Sequence, residues 1–224
     1  SRPCSGENVT TPSIITKHSP RDGRLLYSIT AGSSDTVDQA VASARRAFSD
    51  GRWSGLSVYD RRVTLLRLAN LIEEHKEEFA LYECLDVGKP ITHALQGDIP
   101  SAIGSLRNSA EKAERVLSST GFDGGELVYQ HRKPIGVVGA ITGWNFPLAL
   151  AVQKLGPALA MGNSLVLKPS EFTCLSTCLL AELALEAGVP PGVFNVVNGS
   201  GAIVGDAIAK NMDVDLLGFV GSSA

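Results

Sequence analysis

The chain has 224 residues, with 20 Lys and Arg against 23 Asp and Glu for a net charge of -3, and 44% of it is apolar. That length allows one large or two small domains around a sizeable core, and 23 Gly with 11 Pro fall short of a low-complexity or collagenous composition. The near-neutral balance, with no run of about five or six like charges, argues against a nucleic-acid partner. No stretch of about 18 apolar residues suggests a membrane span. The start, SRPCSGENVT, has neither a signal-peptide pattern nor an initiating Met, so the chain reads as soluble with a trimmed start. Cys4, Cys84, Cys174 and Cys178 form no CxxC pair, which favours a reducing, cytoplasmic setting over a disulfide scaffold or a zinc ribbon.

In chain order, residues 12–31 predict a β-hairpin: Ile14 and Ile15, then Leu25 to Ile29, flank the turn residues Ser19-Pro20-Arg21-Asp22-Gly23. Val37, Ala40, Val41, Ala44 and Phe48 then follow helical spacing, with Ser34 or Asp35 placed to cap. A second helix is expected from Val58 to Leu85, with Glu73 to Glu78 on its solvated face, and Gly88-Lys89-Pro90 breaks it. A third helical region, Thr92 to Leu117, contains Pro100, so its helix proper restarts near Ile99. After the glycines at 121, 124 and 125, residues 126–133 alternate weakly as a strand.

From Ile135 the pattern becomes strand and helix in turn. Strands are expected near 135–142, Ser164 to Lys168, Val193 to Val197 and Leu216 to Val220; helices are expected at Pro147 to Met161, Thr173 to Ala187 and Ala202 to Lys210. This is an α/β fold with a doubly wound parallel sheet, whose ligands lie at the carboxyl ends of the strands. The expected organisation is an extended arm or hairpin at 1–33, a helical part of a cofactor domain at 34–121, a strand of a small oligomerisation element at 122–133, and a Rossmann-like core at 134–224. The core stops on a strand-to-turn junction, where a natural domain rarely ends.

Three strand ends carry chemistry. Thr142-Gly143-Trp144-Asn145-Phe146-Pro147 offers an amide able to donate to a developing oxyanion and an indole able to exclude water; the alternative is that Asn145 caps the helix and Trp144 packs. Lys168 and Glu171 can share a ribose diol, the carboxylate repelling a 2'-phosphate; the alternative is a cap or a surface ion pair. Gly199 to Gly205 reads G-x-G-x-x-x-G, one residue longer than the dinucleotide fingerprint, and Gly221-Ser222 offers a second phosphate-binding turn. Cys174 and Cys178, at i and i+4, read as packed thiols rather than metal ligands. The four histidines show no partner spacing, and Asp98 and Glu111 read as ordinary helix surface.

WNFPL at 144–148, GPALAMGNSLVLKPSE at 156–171, LAELALEAGVPPGVFNVVNGSG at 180–201 and FVGSS at 219–223 together resemble the NAD(P)-dependent aldehyde dehydrogenase superfamily, in its order and over essentially the whole chain. LDVGKPITHAL and GDIPSAI, within 85–103, look most like the branch that oxidises amino-aldehydes such as gamma-glutamylaminobutyraldehyde or betaine aldehyde. The resemblance implies that Asn145 is the oxyanion amide and that Ile141, Thr142, Gly143 and Trp144 line the nicotinamide side of the cofactor groove. It further implies that Lys168 and Glu171 bind the adenosine ribose, that Gly201 lies beside the adenine, and that Phe219 and Ser222 lie near the pyrophosphate. The implied cofactor is NAD, with NADP as an alternative. A small aldehyde is the implied substrate, and a homodimer or homotetramer the implied assembly.

This sequence departs from the family pattern at Gly143, where the family usually has Pro, and at 107–113, where Arg-Asn-Ser-Ala stands in place of tunnel aromatics. The family's nucleophilic cysteine, its general-base glutamate and the glutamate that grips the nicotinamide ribose would lie beyond residue 224. The expectation is therefore the cofactor-binding portion of an aldehyde dehydrogenase, inactive as this chain alone. The rival expectation is a catalytically inactive nucleotide-binding or scaffold protein of the same fold. A classical Rossmann dehydrogenase would need G-x-G-x-x-G where Thr142-Gly143-Trp144 stands.

Overall fold

A computed structural model describes residues 13–116 and 118–222. Cys4, Leu117 at the expected end of the third helical region, and Ser223 and Ala224 of the last turn lie outside these residues. Strands β1 (Ile14–His18) and β2 (Leu25–Thr30) form the expected antiparallel hairpin, with Lys17 opposite Tyr27. Helix α1 (Ser34–Ser49) starts one residue earlier than the expected caps. The Ser33 hydroxyl accepts from the Thr36 N–H at 3.3 Å, and the Thr36 hydroxyl accepts from the Ser33 N–H at 3.2 Å, a reciprocal capping arrangement.

The single helix expected over 58–85 is two, α2 (Val58–Glu74) and α3 (Lys76–Val87), parted at His75. Nothing in the charged run at 73–78 marks that break. Its effect is to let α2 bury Leu65, Leu68 and Ile72 while α3 buries Phe79, Ala80, Glu83 and Asp86. Gly88 ends α3 at φ 81°, the left-handed geometry that glycine tolerates best. Next come one helical turn, α4 (Ile91–His93), a wider π turn at Ala94–Asp98, and α5 (Ile99–Val116), with Pro100 in its first turn as expected.

Strands β3 (Ser118–Asp123) and β4 (Glu126–His131) pair antiparallel around Gly124 and Gly125, at φ 57° and 88°. Only the second of these strands is legible in the sequence, because the Ser-Ser-Thr-Gly of β3 has the composition of a loop. All six residues of β4 are exposed.

The core sheet is parallel, built from β5 (Val137–Ile141), β6 (Ser164–Lys168), β7 (Phe194–Val196) and β8 (Leu216–Phe219) in the order β7-β6-β5-β8. Helices α6 (Pro147–Ala160) and α7 (Leu175–Ala187) join the first three strands, and a π turn (Gly201–Gly205) with α8 (Asp206–Lys210) leads to the fourth. This is the doubly wound α/β sheet read from the sequence. Its winding reverses between β5 and β8, and such a switch point is where open α/β sheets bind ligands.

Alternation along the strands feeds two cores. Val138, Ala140, Leu165 and Leu167 face a large cluster with α2, α5, α6 and α7, whereas Val137 and Val166 face Val37, Val41 and Ala44 of α1 and Ile208 of α8. Gly139 turns to this second side, where a Cβ would lie 2.7 Å from a methyl of Ile208 and 3.0 Å from one of Val214. Helix α8 therefore sits close because β5 has no side chain at that point.

Helices α6 and α7 have no side-chain cap of their own. Two buried carboxylates of α3 serve them instead. Glu83 accepts from the Leu148 N–H at 2.9 Å and from the Ser176 hydroxyl at 3.3 Å; Asp86 accepts from the Leu175 N–H at 3.2 Å and from the Tyr27 hydroxyl at 2.6 Å. Lys17 of the hairpin donates to the Asp86 carbonyl at 2.6 Å. Burial pushes both carboxyl groups above their ordinary range, against the opposing pull of these donors.

Two stability predictions follow for the complete protein, both read by denaturant unfolding. Glu83→Ala strips the acceptor from Leu148 and the counter-charge from a buried lysine, and should cost roughly 3–5 kcal/mol; Glu83→Gln, which keeps an acceptor, should cost clearly less. Gly139→Val should cost about 1–3 kcal/mol through overpacking against Ile208 and Val214, and an unchanged midpoint would mean that α8 yields freely.

Candidate functional site

The carboxyl ends of the strands are tied sideways by their own backbone. Thr142 N–H donates to the Lys168 carbonyl at 3.1 Å, and Val220 N–H donates to the Ile141 carbonyl at 2.9 Å. Residues leaving β5, β6 and β8 therefore start from one fixed edge. The Gly201–Gly205 turn joins them, since a Cβ on Gly205 would lie 3.5 Å from the Ile141 side chain.

Asn145 does not cap α6. The cap position falls on Phe146, which makes no side-chain cap bond, and the Leu148 N–H is taken by Glu83. Asn145 is exposed, and among the described residues its side-chain amide has no hydrogen-bond partner. Trp144 is 56% exposed, so it is not a packed core residue either. Both side chains are presented at the mouth of the strand ends, where an amide donor and an indole wall can act on a ligand.

A Cβ on Gly143 would sit 3.6 Å from the Val220 carbonyl and 3.6 Å from the Asn145 amide oxygen. That is ordinary contact, and the residue does not have positive φ. Neither space nor backbone geometry demands a glycine here, so its effect is to leave the turn less stiff.

Lys168 and Glu171 form an ion pair of 2.9 Å, and the lysine side chain is only 3% exposed. A surface pair is thereby excluded. Burial alone would raise the Glu171 carboxyl, but the Lys168 hydrogen bond, with the backbone of Gly201, holds it below its ordinary range. Gly201 itself is exposed with open space around it. Gly199 differs, because a Cβ there would lie 2.3 Å from Val204. The glycine cluster is thus divided, one member required by packing and one facing room for a ligand.

A donor ammonium beside an acceptor carboxylate, with an open glycine next to them at the carboxyl ends of β6 and β7, fits a ribose diol and a flat base. At the end of β8, Phe219 is 58% exposed and its ring covers Gly221, while Ser222 just beyond is exposed.

No thiol among the described residues is set up to attack. Burial first, with Cys178 and Asp86 adding to it, pushes Cys174 up to about 12, and burial raises Cys178 and Cys84 as well. The thiolate is the nucleophilic form. The same described residues contain no group of His, Cys, Asp and Glu arranged to hold a metal, and no helix is long and apolar enough to cross a membrane.

The structure corrects one reading beside the site and adds detail to another. Asp98, expected on ordinary helix surface, is a largely buried partner of Lys89. In the 107–113 segment, Arg107 turns to α2, donating to Asn70 at 3.0 Å and Glu73 at 2.6 Å, and Ser109 packs where a Cβ on Gly156 would come within 2.8 Å. The sequence reading gave no role to Glu83 or Asp86 and took Lys89 only as part of a helix break. A signal was present, since Phe79, Glu83 and Asp86 fall at i, i+4 and i+7 on one helical stripe. A cavity of about 710 Å³ beside the hairpin turn and the end of α3 shares Lys89 with this region but none of the strand-end residues.

Residues 8–224 match the aldehyde dehydrogenase family. The chain is 47% identical over 206 residues to aminoacetaldehyde dehydrogenase of Pseudomonas aeruginosa, covering 92% of this chain and 42% of that protein. It is also 47% identical to the NADP/NAD-dependent aldehyde dehydrogenase PuuC of Escherichia coli, covering 88% and 40%. In structure it is similar to P. syringae indole-3-acetaldehyde dehydrogenase AldA in complex with NAD+ and IAA, with a TM-score of 0.90 and 46% identity over 93% of this chain and 42% of that one. The chain therefore spans roughly two-fifths of the length of these relatives, and it belongs to the aldehyde dehydrogenase family.

Proposed function

We propose that the complete protein carrying this chain oxidises an aldehyde to a carboxylic acid with NAD, and that this chain supplies the cofactor groove and the oxyanion donor. The observation that carries the reading is the placement of an exposed, unengaged Asn145 amide and a buried Lys168–Glu171 pair along one tied strand edge. The relatives named above are aldehyde dehydrogenases, and the matched AldA structure contains NAD+.

When bound, NAD supplies the hydride acceptor. In this reading Glu171 accepts from one ribose hydroxyl, Lys168 donates to the other, Gly201 leaves room for the adenine, and Phe219 and Ser222 flank the pyrophosphate. Ile141, Thr142, Gly143 and Trp144 bound the nicotinamide end, with Trp144 limiting access of water. Asn145 donates a hydrogen bond to the aldehyde oxygen as negative charge develops there. The attacking thiol comes from outside this chain, because the raised thiols of Cys84, Cys174 and Cys178 are poor nucleophiles. An amino-aldehyde is the favoured substrate class, from the 85–103 segment and the named aminoacetaldehyde dehydrogenase. The exposed apolar residues Leu127, Val128 and Tyr129 of β4 suit association of two or four copies.

Asn145→Ala in the complete protein should lower kcat by about 100- to 1,000-fold, the size of a lost oxyanion donor, with the Kd for NAD unchanged. Steady-state kinetics with an intact kcat/KM would remove this role. Glu171→Gln should narrow the preference for NAD over NADP, since it removes a charge that repels a 2'-phosphate. Calorimetric titration with both dinucleotides reads this directly, and an unchanged ratio would contradict it.

The same titrations against pH carry a sign. The Glu171 carboxyl lies below its ordinary range, so its contribution to NAD affinity persists through that range and is lost only as pH falls further. Gly201→Val should weaken NAD binding while leaving the unfolding midpoint in place, because among the described residues no other part of the chain crowds a Cβ there.

A further inference from the structure

We propose that Lys89 is a positioning residue for Asn145, holding the strand-to-helix turn so that the amide faces the aldehyde oxygen; this rests on the oxyanion role proposed above. The Lys89 ammonium is 12% exposed and has three donors. All three are used: Glu83 Oε2 at 3.0 Å, the Asp98 carboxylate in a close ion pair, and the backbone carbonyl of Asn145 at 3.1 Å. The same ammonium lies 4.8 Å over the Phe146 ring, within the range of a cation–π contact. Glu83, anchored by Lys89 through one oxygen, takes the Leu148 N–H with the other. The segment 145–148 is thus gripped at the carbonyl of Asn145, the ring of Phe146 and the N–H of Leu148.

The side-chain amide of Asn145 has no partner of its own among the described residues, so its direction is inherited from the backbone that Lys89 holds. The turn just before it passes through Gly143, which adds no stiffness. Placement is therefore left to the clamp. A direct electrostatic role for Lys89 does not fit, because two carboxylates already share its single charge. Nor is stability a sufficient account, since a buried ion pair often contributes little beyond a well-packed apolar substitute.

A double-mutant cycle in the complete protein tests this. Lys89→Met is made in a Glu83→Gln, Asp98→Asn background, so that no unpaired buried carboxylate is left and the Leu148 N–H keeps an acceptor. It is then repeated with Asn145→Ala added. Unfolding midpoints are recorded for all variants, and kinetics are taken well below the lowest of them.

Lys89→Met should lower kcat/KM for the aldehyde by about 10- to 100-fold, the scale of a small misplacement of a reacting group, with the Kd for NAD unchanged. With Asn145→Ala present, the same substitution should cost no more than about twofold, because residues acting as a unit are not additive. Equal fold losses in both backgrounds, or no loss in the first, would overturn the positioning role while leaving the oxyanion role intact. An Asn145→Ala protein that retains full kcat/KM would overturn both.

Discussion

The arrangement of the site depends on two carboxylates buried one helical turn apart on α3. Glu83 and Asp86 reach the N-terminal ends of α6 and α7, the helices that leave β5 and β6 where the site residues lie. A helix start leaves N–H groups without intrahelical partners, and it carries partial positive charge that favours an anion. Supplying the anion from a third helix satisfies those groups and at the same time fixes α3 against both strand ends. The hairpin is tied into the same device through Tyr27 and Lys17.

Burying two carboxylates opposes folding unless each is fully bonded. Here each has named donors, and Glu83 also has an ammonium beside it. The arrangement is costly enough that its geometry must be well defined. Lys89 extends it from the helix starts to the turn at Asn145, so that the scaffold and the site share one hydrogen-bonded chain.

Packing contributes a second level of control. Gly139 lets α8 approach the sheet, and the bare Gly201 leaves the far end of the groove open. Between them, the buried Lys168 holds Glu171 ionised beside the Gly201 backbone. Cys174 is kept as a buried thiol, and burial raises the neighbouring Cys178 as well, which separates their packing role from any attack on a carbonyl.

Much of the fold was legible from the sequence because it rests on local periodicity: the uncharged run of β5, the bounds of β6, the Pro-started α6 and the hairpin turn at 19–23 follow from patterns within a few residues of one another. Asn145, Trp144, Lys168 and Glu171 were singled out because they follow strand ends, whereas Ile141 and Gly201 entered as site residues only through the family resemblance. What tertiary structure alone decided is of another kind. The break at His75, the pairing of β3 with β4, the burial of Asp98 and the pairing of Lys89 with Asn145 each join segments or faces whose relation no local pattern encodes. Glu83 and Asp86 illustrate the divide: they share a helical stripe with Phe79 in the sequence, but only the approach of α6 and α7 supplied the N–H groups that satisfy carboxyl groups buried there.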